Sequence, residues 1–295
     1  MRVVEHRLLS RWCISYTRCA HSPCIVLHVV TAKTQYNLKN AQKYFEEHLA
    51  VGDYYAEGQR VSGEWIGMGT ERLTLSGTVL AEDFLRLCEN QHPATGERLT
   101  PELKTTRIQN GRTVADRRIF YDSTFSPPKS VSLAAFLGED KRIFTAHARA
   151  VQVALEHFEA FAATRVRIGG ARSERLTGSL AAALFTHETS RALDPHLHTH
   201  CIVFNATFDQ VENRWKALEN YGLLRARKFA ENVYYHELAR DLKSLGYQIQ
   251  NRARGDFQIE GISEELCDRF SKRRGEIDAA LELCFPKSRS LRPAT

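Results

Sequence analysis

The stretch Asp194–Phe204, DPHLHTHCIVF, constrains the fold more than any other part of this chain. Histidines recur at 196, 198 and 200, and an apolar run closes the segment. A side-chain period of two is that of a β-strand. On a strand, His196, His198, His200, Ile202 and Phe204 share one face, and Leu197, Thr199, Cys201 and Val203 share the other. Three imidazoles therefore stand in step along one edge of a core-forming element.

The preceding segment, SLAAALFTHET, also has strand character, and the connector SRALDP is short enough to make the two strands antiparallel neighbours. Folding back through that connector brings His187 alongside His198 and His200. Histidines two apart on a strand can grip one divalent ion, and His187 would complete a three-imidazole set with open coordination positions, as a catalytic metal requires. Neutral imidazole suits zinc, manganese, nickel and similar ions, so the pattern leaves the metal open. A lone histidine is usually structural; three in alternation with a fourth on the adjoining strand are not explained that way. The spacing is not H-E-x-x-H, which excludes a zincin-type protease.

The rest of the chain alternates strands and helices. CIVLHVVTAK predicts a first strand, and Asn37 caps a helix whose stripe is Leu38, Ala41, Phe45 and Leu49. The glycine-rich segment 51–69 breaks periodicity and predicts a loop. A short helix follows at LAEDFLRLCEN, then a polar section from Gln91 to Asn110 and a strand RRIFYDSTFS stopped by Pro127 and Pro128. A long amphipathic helix is expected from Asp140 to Arg165, through Ile143, Ala150, Leu155, Phe158 and Phe161. Another runs over LLRARKFAENVYYHELARDLKSLG, with Gly246 as its C-cap. A hairpin, YQIQNRARGDFQIEG, and a last helix, SEELCDRFSKRRGEIDAALE, complete the pattern. Hairpins among the alternating elements predict α+β architecture with an antiparallel or mixed sheet.

With 295 residues and 43% hydrophobic content, the chain can build a real core. No apolar run approaches the ~20 residues of a membrane span. The formal charge of +6 favours a polyanionic partner without specifying one. Seven cysteines, an odd number with no C-x-x-C pair, suggest thiols in a reducing cytoplasm. Residues 1–25 are Arg-rich and acid-poor, superficially like a transit peptide, and are expected to be an extension outside the fold. Residues 284–295 are expected to be a tail, leaving 26–283 as the domain.

Three segments carry a resemblance: FTHETSRALDPHLHTHCIVFNAT, STFSPPKSVSL, and YFEEHLAVGDYYAEGQ with the later GEWIGMGTERLTLSG. Together, and occurring along the chain in the family's order, they resemble the relaxase domain of TrwC/TraI-type (MobF) conjugative relaxases, within the HUH endonuclease superfamily. The middle residue of the His-hydrophobic-His signature is here Thr199. The resemblance implies a palm of central sheet flanked by helices that nicks one strand at a transfer origin. A tyrosine attacks the scissile phosphate, forms a 5′-phosphotyrosyl intermediate, and is released when a 3′-OH rejoins the strand.

It further implies roles for individual residues. His198 and His200 match the signature pair and His187 the third ligand, so His196 becomes dispensable. Tyr44 matches the leading catalytic tyrosine; Tyr54, with Tyr55, matches a second group used by some members. Position 45 is Phe, so the first tyrosine doublet is incomplete. Asp122 matches an aspartate that is either the general base for Tyr44 or a partner orienting a ligand histidine. Ser126, Lys129, Ser130 and Arg191 are expected against phosphates. Trp65, with Trp215 and Tyr54, is a candidate base-stacking platform, beside basic runs at Lys104 through Arg118, Arg165 to Arg175, Arg225 to Lys228 and Lys272 to Arg274.

The implied cofactor is a divalent metal, Mg²⁺ or Mn²⁺ in use, with Zn²⁺ or Ni²⁺ as alternatives. The implied partner is single-stranded origin-of-transfer DNA, bound by a monomer in the bacterial cytoplasm, with accessory relaxosome and type IV secretion coupling proteins. Two rivals stand beside this reading: a metal phosphodiesterase that uses water, and a truncated remnant that binds origin DNA without cutting it. No Walker motif accompanies the domain, so unwinding activity is not expected.

Overall fold

The computed structural model describes residues 31–49, 61–101, 106–109, 111–115, 117–190, 193–253, 255–272 and 275. Strand β1 (Thr31–Gln35) leads to helix α1 (Leu38–Tyr44), which widens into a π-helical turn, Phe45–Leu49. Then come β2 (Glu64–Ile66), α2 (Met68–Arg72), α3 (Ala81–Cys88), the ribbon β3 (Thr106–Gln109) and β4 (Arg112–Ala115), and β5 (Phe120–Phe125). Helices α4 (Lys129–Leu137) and α5 (Arg142–Glu159) precede the hairpin β6 (Ala163–Ile168) and β7 (Ala171–Leu176). The histidine strands are β8 (Ala182–Thr189) and β9 (Pro195–Phe204). Short strands β10 (Thr207–Asp209), β11 (Arg214–Lys216) and β12 (Leu218–Glu219) lead to α6 (Tyr221–Ser244), the hairpin β13 (Ile249–Asn251) and β14 (Phe257–Ile259), and α7 (Glu264–Arg269).

The central sheet has five strands in the order β1-β5-β9-β8-β2, with every neighbouring pair antiparallel. The α+β architecture expected from the sequence is the one present. β9 lies in the middle, so both of its faces need cover, and its apolar residues sort accordingly. Ile202 and Phe204 join a front core with Ala41, Phe45, Leu49, Phe84, Phe120 and Phe185. Leu197, Cys201 and Val203 join a back core with Phe125, Ile143, Leu155, Phe158 and Leu238. Each such side chain stabilises the fold by about 1.5–3 kcal/mol through area removed from water. Among the described residues, no helix is long and apolar enough to cross a membrane.

Capping follows the sequence. Asn37 accepts a hydrogen bond from Asn40 N at 3.2 Å and starts α1. At the other end of α6, Tyr247 N donates to Leu242 O and Gly246 N to Lys243 O, both at 3.0 Å, closing a Schellman motif.

Three expectations need correction, and one helix escaped the sequence. The helix drawn from 140 to 165 ends at Glu159; Phe161 is 37% exposed in the following turn, and residues from Ala163 form a strand. Its partner is reached through Gly169 and Gly170, with φ of 59° and 83°, a turn that only residues tolerant of positive φ can make. The stretch expected as a loop holds β2 and α2, within its described part. Its glycines serve close approach: Gly69 N donates to Leu180 O at 2.8 Å, and a Cβ there would lie 2.6 Å from that oxygen. Helix α4 was not foreseen because it is buried from Ser130 to Ala135 and shows no amphipathic period. Finally, the expected last helix is interrupted: Glu264–Arg269, capped by Ser263, gives way to a turn at Phe270, and most of the stretch beyond lies outside the described residues.

Candidate active site

The two histidine-bearing strands pair as the connector implied. His187 lies directly opposite His198, and Phe185 opposite His200. The rings of His187, His198 and His200 converge on the front face, with centroids 5.3, 5.5 and 5.1 Å apart for the pairs 187–198, 187–200 and 198–200. The ladder breaks register just beyond His187, where Thr189 pairs with Pro195.

Hydrogen bonds fix how two of these rings present themselves. His198 Nδ1 is 2.9 Å from the carbonyl oxygen of His196, which can only accept, so Nδ1 carries the proton. His200 Nδ1 lies 2.9 and 3.0 Å from the two oxygens of Asp122 and donates to that carboxylate. Both residues are therefore Nε2 lone-pair donors, in the carboxylate- or carbonyl-backed arrangement that typically orients metal-binding imidazoles. Burial first, and then the neighbouring His196 and His200, hold the His198 pKa well below the ordinary imidazole value, which keeps it neutral. His196 stacks on His198 with centroids 4.7 Å apart, and it is its backbone carbonyl that orients its neighbour.

Asp122 projects from β5 onto the same face and is 4% exposed. Its second contact is Tyr44, whose hydroxyl donates to Oδ2 at 2.5 Å. Tyr44 is the last α-helical residue of α1, where the chain changes to the π turn. That turn sends Phe45 onto Phe84, centroids 4.4 Å apart, and Leu49 into the core, while Tyr44 stays over the sheet. Such π turns recur at functional sites. Burial alone would raise the Asp122 pKa. The His200 ring beside it, then the Tyr44 hydrogen bond and the Lys33 charge, outweigh burial and hold the carboxyl below its ordinary value. Asp122 thus stays ionised and joins tyrosine to histidine cluster.

Lys33 was not foreseen. It is the cross-strand partner of Asp122 on β1, and its ammonium lies 4.9 Å from the centroid of the Tyr44 ring. Only the β1–β5 register, which the sequence does not display, brings it there. Thr124 was missed for the same reason; its hydroxyl is 3.2 Å from His200 Nδ1.

Several expected DNA contacts are placed differently. Trp65 is 9% exposed and packs in the front core against Phe204, so no open face remains for a base to stack on. Lys129 Nζ donates to Pro195 O at 2.9 Å and anchors the start of β9. Burial lowers its pKa, with Asp194 acting in the opposite direction. The Ser130 hydroxyl is buried and accepts from Ile259 N at 3.1 Å. Ser126 is partly exposed at the end of β5. In the expected basic runs, Arg165 pairs with Glu219, Arg175 with Asp209 and Lys228 with Glu231. Tyr54, Tyr55, Arg191, residues 1–25 and residues 284–295 lie outside the described residues.

Comparison with known proteins agrees with this geometry. Residues 38–294 match the family model of the TrwC relaxase. Two Escherichia coli proteins, both named multifunctional conjugation protein TraI and one from strain K12, are 38% and 37% identical over 240 residues. That is 78% of this chain but only 13% of each relative's length. Among solved structures, conjugative relaxase TrwC in complex with oriT DNA superimposes in its metal-bound form with a TM-score of 0.73 at 35% identity, covering 89% of this chain and 86% of that one. The copper-bound form gives a TM-score of 0.74 at 35% identity, covering 89% and 87%. TrwC with a 27-mer comprising the recognition hairpin and the cleavage site gives 0.71 at 33% identity, covering 89% and 86%. Because the match to the family takes in every strand of the central sheet except the first, the chain belongs to the TrwC relaxase family.

Proposed function

We propose that this chain nicks one strand of origin-of-transfer DNA and transfers it, with Tyr44 as nucleophile. The observation that carries this reading is the bond from the Tyr44 hydroxyl to Asp122 Oδ2, at the side of the histidine cluster. A phenol with a pKa of about 10 is a poor nucleophile at neutral pH without help. Here its proton already points at an ionised carboxylate. Tyr44 Oη forms a bond to phosphorus, the proton passes to Asp122 Oδ2, and the bond from phosphorus to the 3′-oxygen breaks. The 3′-oxygen leaves and takes a proton from water, so the products are a 5′-phosphotyrosyl link and a free 3′-OH. In the reverse direction a 3′-OH gives its proton to water as it attacks the same phosphorus, and Tyr44 leaves, regaining its proton from Asp122. The Lys33 ammonium over the Tyr44 ring favours the negative charge that develops on the phenol.

The donor set suits a divalent metal, since three imidazoles converge and two have Nδ1 committed to acceptors. When bound by His187, His198 and His200, such an ion would supply Lewis-acid polarisation of the scissile phosphate. Mg²⁺ or Mn²⁺ is the ion proposed in use, with Zn²⁺ or Ni²⁺ as tighter-binding competitors at an imidazole site. Tyr54 is kept as a second nucleophile, and Ser126 and Arg191 as contacts to the bound strand. The domain is proposed to span 26–283, flanked by the extension and tail described above. The protein is proposed to act as a cytoplasmic monomer with accessory relaxosome and coupling proteins.

The test is cleavage of a labelled single-stranded origin oligonucleotide with Mg²⁺ or Mn²⁺. An SDS-resistant protein–DNA complex is expected for the parent and for no Tyr44→Phe sample. Cleavage by Tyr44→Phe at the parent rate would support water-based hydrolysis instead.

A further inference from the structure

Three histidines in step create a problem of register. If β9 slid by two residues past β8, every side chain would keep its face, and His196 and His198 would take the places of His198 and His200. The ladder already breaks at this end of the strand, between His187 and Thr189. Something must hold the pair of strands at the last regular rungs.

The back of the sheet carries a polar chain at that point. Tyr234 on α6 has its hydroxyl 2.8 Å from His147 Nδ1 on α5. His147 Nε2 is 2.8 Å from Thr199 Oγ1, and Thr199 Oγ1 is 2.8 Å from Thr186 Oγ1. Tyr234 and His147 are 0% exposed and Thr199 is 1% exposed. Thr199 stands between His198 and His200; its cross-strand partner Thr186 precedes His187. The chain touches no metal-facing ring, yet it grips both strands at the residues between and beside the ligands.

Its hydrogens can be placed. The Tyr234 hydroxyl has His147 Nδ1 as its acceptor, so it donates there. His147 is then the Nε2–H tautomer and donates to Thr199, and the Thr199 hydroxyl is left to donate to Thr186. Every buried member is satisfied in this register only. A two-residue slide would set Leu197 or Cys201 against His147 Nε2–H and strand a buried donor. A valine at 199 would fill the same space and say nothing about register.

We propose that the Tyr234–His147–Thr199–Thr186 chain is a register lock that positions His187, His198 and His200 from behind the sheet. It explains why the residue between the two histidines is a threonine. The proposal builds on the metal reading of the histidine cluster.

The experiment compares Thr199→Val, which removes the hydroxyl, with Thr199→Ser, which keeps it, and His147→Leu with His147→Gln, whose amide can still donate. Thr186→Val, at an exposed position, serves if the buried variants do not fold. Two readouts are taken on protein shown to be folded by circular dichroism: Mn²⁺ affinity by calorimetry without DNA, and cross-strand NOEs between positions 186 and 199 and between 187 and 198. The lock predicts that Thr199→Val and His147→Leu weaken Mn²⁺ binding by about 10–100-fold, as loss of an orienting partner does. They should also lose or broaden those NOEs, while Thr199→Ser and His147→Gln keep both. Parent-like affinity and NOEs in Thr199→Val would overturn it. If the parent itself binds no Mn²⁺, the metal reading fails, and the NOEs alone decide the lock.

Discussion

The Tyr44 hydroxyl and the Asp122 carboxylate meet at 2.5 Å although 78 residues separate them in the chain. The same carboxylate accepts from His200 Nδ1, so one side chain serves the proposed nucleophile and the proposed metal ligand together. Asp122→Asn keeps the shape but cannot take the phenol proton. Single-turnover nicking should fall by about 10²–10⁴-fold, the usual contribution of a positioned base. Mn²⁺ affinity should fall much less, because the amide oxygen still accepts from His200. Equal losses in both would mean that Asp122 only orients the histidine.

His196 is proposed to be the histidine whose ring the site does not need. Only its carbonyl touches His198 Nδ1, and a backbone carbonyl survives mutation of its side chain. His196→Ala should therefore bind Mn²⁺ within a few-fold of the parent by calorimetry. His198→Ala and His200→Ala should each abolish measurable binding, since two imidazoles remain where three are required.

Trp65 separates core from DNA surface. It packs against Phe204 in the front core, so Trp65→Ala should cost about 3–5 kcal/mol of stability, as deletion of a buried aromatic does. Urea denaturation would register that loss. A fully stable Trp65→Ala with weakened oligonucleotide binding would restore the stacking role.

Buried His147 predicts an acid limb in stability. Burial, and then the charge of His196, lower its pKa to about 3. Unfolded, it titrates at about 6.5 and so binds more protons than the folded state between those values. Stability attributable to neutral His147 is thus complete above pH 6.5 and declines as pH falls towards 3. At pH 5 the loss should be about 2 kcal/mol relative to pH 7.5. His147→Gln should flatten this limb when denaturation midpoints are compared across pH. Loss from Asp122 appears lower, below the ordinary carboxylate range, because its folded pKa is depressed.

Much of this was legible in the chain because the decisive signals are local. The period of two over 196–204, the short connector and Gly246 each act within a few residues, and strand pairing, the His187–His198 rung and the end of α6 follow from them. What failed to show was set by neighbours distant in sequence. Lys33 faces Asp122 only through the β1–β5 register, and His147 meets Thr199 only because α5 crosses behind β9. Helix α4 hid because burial all round erases the amphipathic period. Gly67 and Gly69 looked like loop residues but permit close backbone contact with Leu180.

The most direct measurement is the identity of the residue bound to DNA. The parent protein is trapped on a labelled single-stranded origin oligonucleotide with Mn²⁺, digested, and the peptide–DNA adduct sequenced by mass spectrometry. A phosphotyrosyl link at Tyr44, carrying the 5′ end of the cleaved strand, is the predicted result. Adducts that never include Tyr44, or cleavage with no adduct, would contradict the account.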